Sequence, residues 1–361
     1  MGEININLKT AADSLNSRAT RGIVMLVLDN TAITGCKKYN RKRAVTDKFT
    51  DANMKIINKC FDKYKINSLK IICYDSSNSE TLKDALKKID RVKWNYLTCP
   101  TATSDDDKKL IVDFIKSQIT DKNFTVKAVV SNYKADYENI VSNYISSITI
   151  DGETLTGDEF TVDYACMCAA CGIKEGLSNK ILSGVTKVEL IDDALAKDPQ
   201  GITDLGQVGV IYDYDFEAYV LTDDVTTKTT IDLNKENESL KDRRVSEILS
   251  MMQDDIKMEF KTNWYDKVGG SYSNRKLFKD KINNSYLIPA SHTGALNGDM
   301  ENKCELDAET TREYLENTLK VDTTDMEDED ILAYDIGEHV FAKARIYVLR
   351  NMKALDLDMY Y

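Results

Sequence analysis

The hydrophobic pattern changes period along the chain. Near the start, Ile4, Ile6 and Leu8 alternate with polar neighbours, which predicts a short half-buried strand. The stretch Lys9 to Arg21 that follows has too few large apolar residues to anchor itself. Residues 1–21 therefore read as an arm, with a reach of about 65–75 Å when fully extended. From Gly22 to about Leu240, short apolar runs of the buried-strand kind (Ile23–Leu28, Leu69–Cys73, Trp94–Thr98, Val126–Val130) alternate with helical periodicity over Asp51–Tyr64, Glu80–Ile89 and Asp105–Ile119. Ser104 with Asp107 three residues later marks the start of the last helix. That alternation predicts an α/β domain with a central, mostly parallel sheet flanked by helices. Lys187–Leu190, Val208–Tyr212 and Phe216–Val220 read as further sheet with a tight turn.

A second unit begins near Lys241. Val245, Ile248, Leu249, Met252, Ile256 and Phe260 keep helical spacing for more than four turns, Val268-Gly-Gly270 breaks it, and a helix from near Asn274 carries Leu277, Phe278 and Ile282. Ala308–Leu319 is a third helical stretch. At the end, Val340, Ala342, Ala344, Ile346 and Val348 alternate with their neighbours, and Leu355, Leu357 and Met359 repeat the pattern against Asp356 and Asp358. The expected organisation is an arm over 1–21, an α/β domain over 22–240, a helical part of an α+β domain over 241–337, and terminal strands with a second arm over 338–361. One strand at the first terminus and two at the other imply a sheet completed between chains.

Composition narrows the partners. The chain has 361 residues, 42% hydrophobic and 30% charged, with a net charge of −12. Such a surface repels phosphate backbones and anionic lipid, so neither nucleic acid nor a membrane is expected as partner. No run approaches the roughly 20 apolar residues of a membrane span, and no leader is evident, which places assembly in a cytoplasm. One segment opposes the overall charge: Lys37-Lys-Tyr-Asn-Arg-Lys-Arg43 holds five basic residues in seven, and reads as a solvated loop or a contact with an acidic neighbouring subunit.

Catalytic chemistry finds no handle. GxGxxG, GxxxxGK[ST], HExxH and GxSxG are all missing. The two histidines, His292 and His339, lie in a turn and at the start of a strand. Cys168-Ala-Ala-Cys171 is formally a CxxC, but Val162 to Cys171 is apolar on every side and reads as a buried helix with packing thiols. Asp325-Met-Glu-Asp-Glu-Asp330 lacks the glycine and spacing of a calcium loop and reads as an acidic helix start. No catalytic, cofactor or metal residues are therefore assigned.

The ordered set of segments resembles the contractile phage tail sheath family, in particular the small sheath subunits of myophages, defective prophages and R-type phage-tail-like bacteriocins such as diffocins. Ile4-Asn-Ile-Asn-Leu-Lys-Thr-Ala-Ala12 followed by Ser17-Arg-Ala-Thr-Arg-Gly-Ile-Val24 resembles the family's opening. Arg244 to Trp264, Val268-Gly-Gly-Ser-Tyr-Ser-Asn274, Arg275 to Tyr286, Val321 to Met326, Gly337 to Ala344 and Met352 to Met359 resemble its C-terminal third. The resemblance implies a middle domain similar to subtilisin in topology without its catalytic residues. It also implies arms from neighbouring subunits that add strands to one another's C-terminal domain, in hexameric rings stacked around an inner tube. The expected strand-exchange residues are Ile4, Ile6, Leu8, Val340, Ala342, Ile346, Val348, Leu355, Leu357 and Met359. The partners it implies are further copies of the chain, the tube protein, and baseplate and terminator or collar proteins, within a virion or tail-like particle. The rival readings are a cytoplasmic α/β enzyme with an unrecognised site and a non-contractile self-assembling virion component.

Overall fold

The computed structural model describes residues 21–30, 33, 35–171, 173, 175–233, 236–353, 355, 357 and 359. They form two compact units, 21–247 and 248–361.

The first unit is built on a six-stranded sheet. Its strands are β1 (Ile23–Asp29), β2 (Cys36–Tyr39), β3 (Ser68–Tyr74), β4 (Tyr96–Thr98), β5 (Lys127–Ser131) and β6 (Ile140–Asn143), in the spatial order β2-β3-β1-β4-β5-β6. All pairings are parallel except β2 with β3. Alternate residues of β1 serve opposite layers, as the period of two requires. Val24, Leu26 and Leu28 face a core that includes α1 (Asp51–Asp62) and α4 (Gly157–Ala170). Met25 and Val27 face α2 (Leu82–Lys88) and α3 (Asp105–Thr120). The helices start where the sequence signals it: the Ser104 hydroxyl accepts from the Asp107 N–H at 3.1 Å, and Thr156 and Glu159 form a reciprocal capping box. Helix α4 is buried nearly all round. Asp163 within it is fully buried and takes Lys59 Nζ and Tyr64 Oη, each at 2.5 Å.

A second sheet in this unit orders β7 (Ile145–Ile150), β8 (Glu153–Thr156) and β9 (Val185–Leu190) as β8-β7-β9, all antiparallel. After the short helix α5 (Pro199–Asp204), β10 (Val210–Asp213) and β11 (Ala218–Leu221) form a hairpin. Val208, just before β10, bridges Asn143 at the end of β6. Helix α6 (Arg243–Glu259) follows. Its amphipathic pattern predicted an apolar stripe through Val245, Ile248 and Met252. Those residues are buried, and so are Arg243, Arg244 and Glu247.

The unit 248–361 is mainly helical: α7 (Tyr272–Ile282), α8 (Ile288–His292), α9 (Ala308–Tyr314) and α10 (Asp328–Ala333). Three π turns, Phe260–Trp264, Asn283–Leu287 and Leu315–Leu319, adjoin helices. Ser271 caps α7 and the Asp328-Glu-Asp330 run forms the acidic first turn of α10. Leu315, Ile331 and Ile336 make one small core, and Phe278 packs edge-on to Phe260 and Trp264. Strands β12 (Lys303–Leu306) and β13 (Ala342–Arg345) form a two-stranded antiparallel sheet. The alternation from Val340 to Val348 predicted one longer strand. The ladder here is four residues, followed by an isolated bridge from Val348 to Leu296.

Candidate assembly surface and a buried charge cluster

The C-terminal segment carries the sequence-predicted assembly residues. Ala342 pairs with Leu306, and Ala342 and Ala344 both face solvent. Val348 is held by its bridge and by flanking bonds, Asn297 N–H to Tyr347 C=O at 2.7 Å and Leu349 N–H to Ala295 C=O at 3.1 Å. Ile346 is half-buried between them. A two-stranded sheet is marginal by itself, and among the described residues β13 has no neighbour on its outer side. Beyond it, Leu355, Leu357 and Met359 are exposed and belong to no strand, and Met352 is 99% exposed. Single exposed apolar residues are ordinary, but four within eight positions form a surface of the kind that marks an interaction site. Ile4, Ile6 and Leu8 lie outside the described residues.

Val340 lines a groove of about 740 Å³ in the same unit, walled by Phe260, Trp264 and Phe278. Arg275 is buried at its side. One Nη of Arg275 donates to Tyr334 C=O at 2.7 Å, while its buried Nε–H has no acceptor among the described residues.

The unit 21–247 holds a cluster that the pattern of apolar positions did not reveal. Arg243 grips Asp224 through two bonds of 2.6 and 2.7 Å and donates to Tyr96 Oη at 3.1 Å. Tyr96 Oη donates to Glu247 at 3.0 Å. The other Glu247 oxygen takes Arg21 Nε at 2.7 Å, and Lys127 Nζ stands 3.6 Å from the carboxylate. All but Arg21 are almost completely buried. Burial pushes the Glu247 carboxyl up, but Arg21, Lys127 and Arg243 outweigh it and hold it down at about 2. For Lys127, burial dominates over Glu247 and lowers the ammonium to about 8. The two shifts pull stability in opposite directions. Such a cluster fixes geometry more than it adds net stability. It ties the first described residue, Arg21, to the last residue of this unit, Glu247.

The other residues raised by the sequence take packing roles. Cys166 and Cys168 are buried in α4, and burial raises both thiols. Cys171 Sγ donates to Glu175 C=O at 3.3 Å. His339 stacks on Phe341 and packs against Tyr314, and His292 ends α8. Among the described residues no group of three or more His, Cys, Asp or Glu side chains converges to hold a metal ion. No helix among them is long and apolar enough to cross a membrane.

Comparison with solved structures defines the class of fold. The sheath tail protein from Listeria innocua superposes with a TM-score of 0.67 at 13% identity, covering 94% of this chain and 99% of that one. The helical sheath of the anti-feeding prophage in its contracted state gives 0.67 at 13% identity, covering 99% and 98%. The fold is that of contractile sheath proteins. In sequence, residues 75–227 match the family model for the phage tail sheath protein central domain. The tail sheath protein of Clostridium phage phiCD119 is 25% identical over 364 residues, spanning 98% of this chain and 95% of that protein. The chain is thus similar to phage tail sheath proteins, in sequence along nearly its whole length and in fold.

Proposed function

We propose that the chain is the structural subunit of a contractile tail sheath: it polymerises as stacked hexameric rings around an inner tube and contracts to drive the tube through a target envelope. The observation that carries this is the near end-to-end match to a phage tail sheath protein, on a chain whose fold is shared with a helical sheath in the contracted state. In this reading the subunit has a mechanical role, works without nucleotide, and functions in a virion or tail-like particle. Its partners are other copies, the tube, the baseplate and a terminator or collar protein. The α/β body over 22–240 takes the part of the subtilisin-like sheath domain, 241–337 the helical part of the C-terminal domain, and 1–21 and 338–361 the linking arms.

The arms are the working parts. A strand donated from a neighbour through Ile4, Ile6 and Leu8 would complete the short sheet at β13, where Ala342 and Ala344 stand bare. The tail through Leu355, Leu357 and Met359 would cover its own apolar side chains on another copy. Backbone pairing of this kind survives rotation of the domain bodies because the tethers absorb it.

Electron microscopy of the purified chain tests the reading: hollow striated cylinders are expected, and a strictly monomeric protein under all assembly conditions would sink it. Deleting residues 2–15 is expected to leave the melting temperature of the monomer unchanged and to abolish polymerisation. Unaltered tube formation by the deletion would refute the donated N-terminal strand.

A further inference from the structure

The first unit carries opposite charge on two separate surfaces, the open edge of β2 and the tip of the β10–β11 hairpin, and the structure assigns these surfaces to each other across copies: we infer that the basic margin of β2 docks on the acidic aromatic tip of the β10–β11 hairpin of the next subunit. This rests on the reading of the chain as a self-assembling subunit and adds a contact between domain bodies that is independent of the arms.

The basic side begins at the edge strand. β2 pairs only with β3, so its outer backbone edge is open among the described residues. Lys37 and Lys38 on this strand, and Arg41, Lys42 and Arg43 in the turn after it, are all exposed. Lys42 pairs with Asp62 at 2.5 Å and Lys37 lies 3.9 Å from Asp47. Lys38, Arg41 and Arg43 have no ion-pair partner among the described residues. On a chain of net charge −12 this concentration of cations is a local reversal of sign.

The acidic side lies on the separate two-stranded sheet of β10 and β11. The strand order ends at β6, and Val208, just before β10, bridges Asn143 of β6. The hairpin tip reads Asp213-Tyr-Asp-Phe-Glu217. Tyr214 is 85% exposed and Phe216 53%. This tip is pre-organised. The Asp213 carboxylate accepts the N–H groups of Asp215 and Phe216 at 2.8 and 3.0 Å, Glu217 sits at φ 49°, and Tyr212 packs edge-on to both Tyr214 and Tyr219. A rigid knob loses little entropy on binding, and two exposed aromatic rings ringed by carboxylates mark a contact surface.

The two surfaces match in chemistry. Arginine guanidinium groups stack on tyrosine faces and pair with carboxylates, and among the described residues Arg41, Arg43 and Lys38 have no carboxylate within ion-pair distance. Because the two surfaces differ and belong to different sheets of the same unit, the contact is head-to-tail, which generates a ring or a helix rather than a closed dimer.

The test uses the full chain. One variant combines Lys38→Glu, Arg41→Glu and Arg43→Glu; the other combines Asp215→Lys and Glu217→Lys, leaving the turn-forming Asp213 in place. Each alone is expected to raise the concentration needed for polymerisation by about tenfold or more. An equal mixture of the two is expected to recover wild-type assembly. In a ring with an even number of subunits, alternating the variants makes every junction attractive again. Recovery also shows that both variants are folded. Normal assembly of either single variant, with wild type assembling in parallel, overturns this contact and leaves the lysines as guards of an open strand edge. Failure of the mixture to recover overturns the pairing as well. A wild-type chain that never assembles overturns the parent reading instead.

Discussion

Glu247→Gln is expected to destabilise the unit 21–247 by about 3–5 kcal/mol, because it removes one charge from a buried set and leaves its partners in place. Gln keeps the shape of Glu, so the loss is electrostatic. With Glu247 ionised, the cluster holds three cations (Arg21, Lys127, Arg243) against two anions (Asp224, Glu247). Without it, Asp224 alone faces all three, and Asp224 is already engaged by Arg243 and by the Leu177 N–H at 2.9 Å. Lys127→Met in the Glu247→Gln background should restore part of the loss, since it withdraws a buried ammonium that has lost its counter-charge. The pH dependence fixes the sign. Glu247 is lowered from 4.5 to about 2, so its contribution is present above about 4.5 and lost as pH falls toward 2. The gap between wild type and Glu247→Gln should therefore close over that interval. Lys127 is lowered from 10.5 to about 8, so wild-type stability should gain a rising component as pH climbs from 8 toward 10.5. Urea denaturation across pH reads both limbs. A cost below about 1 kcal/mol at neutral pH would mean that water reaches the cluster and screens it.

How much of this was written in the chain depends on the kind of residue. Strands such as Ile23–Asp29 were legible because both faces are buried, which leaves an unbroken apolar run. Helix α4 was legible for the same reason, and its two cysteines are core atoms. β2 was not, because an edge strand protects itself with charge, and Cys-Lys-Lys-Tyr reads as a loop. β6 and β8 are four residues each, the first half polar and the second polar but for Leu155, too short for a period to show. The three π turns keep the apolar spacing of the helices they adjoin, so they read as helix. The charge cluster was hidden because its members are far apart in sequence: Arg21 and Glu247 are separated by 226 positions. One signal could have found it. Lys127 stands inside the apolar run Val126–Val130, and a lone ammonium in a buried strand demands a counter-charge elsewhere. The assembly residues were partly legible, in the alternation of Ala342, Val348 and the tail. The partners proposed for them lie on other copies, and a pairing between copies leaves no period in one chain's sequence.

The sharpest test of the body's packing is a methyl group. Gly157→Ala is expected to destabilise the same unit by about 3 kcal/mol, at the upper end of what an inserted methyl costs in a packed core. Gly157 opens α4, and a Cβ built there would stand 2.0 Å from the Ile145 carbonyl oxygen and 2.6 Å from Ser131 Oγ. Both neighbours are fixed. Asn143 bonds Ser131 Oγ at 3.2 Å, the Ile145 N–H at 3.2 Å and Gly157 C=O at 2.9 Å, so β5, β7 and α4 are pinned together at one asparagine. Relief requires α4 to withdraw from the sheet, which would open voids around Phe160 and Tyr164, both fully buried. Opposing this, alanine improves helix propensity by at most about 1 kcal/mol over glycine, and less at a first-turn position. The steric cost wins. Gly269→Ala is the matched control: no atom lies within 4 Å of its added Cβ, and its effect should stay within about 0.5 kcal/mol. Urea midpoints for the two variants, measured side by side, distinguish a body that transmits force as a rigid piece from one whose buried helix slides. If Gly157→Ala proves as mild as Gly269→Ala, α4 is free to shift against the sheet, and the body yields where the contraction proposed above needs it stiff.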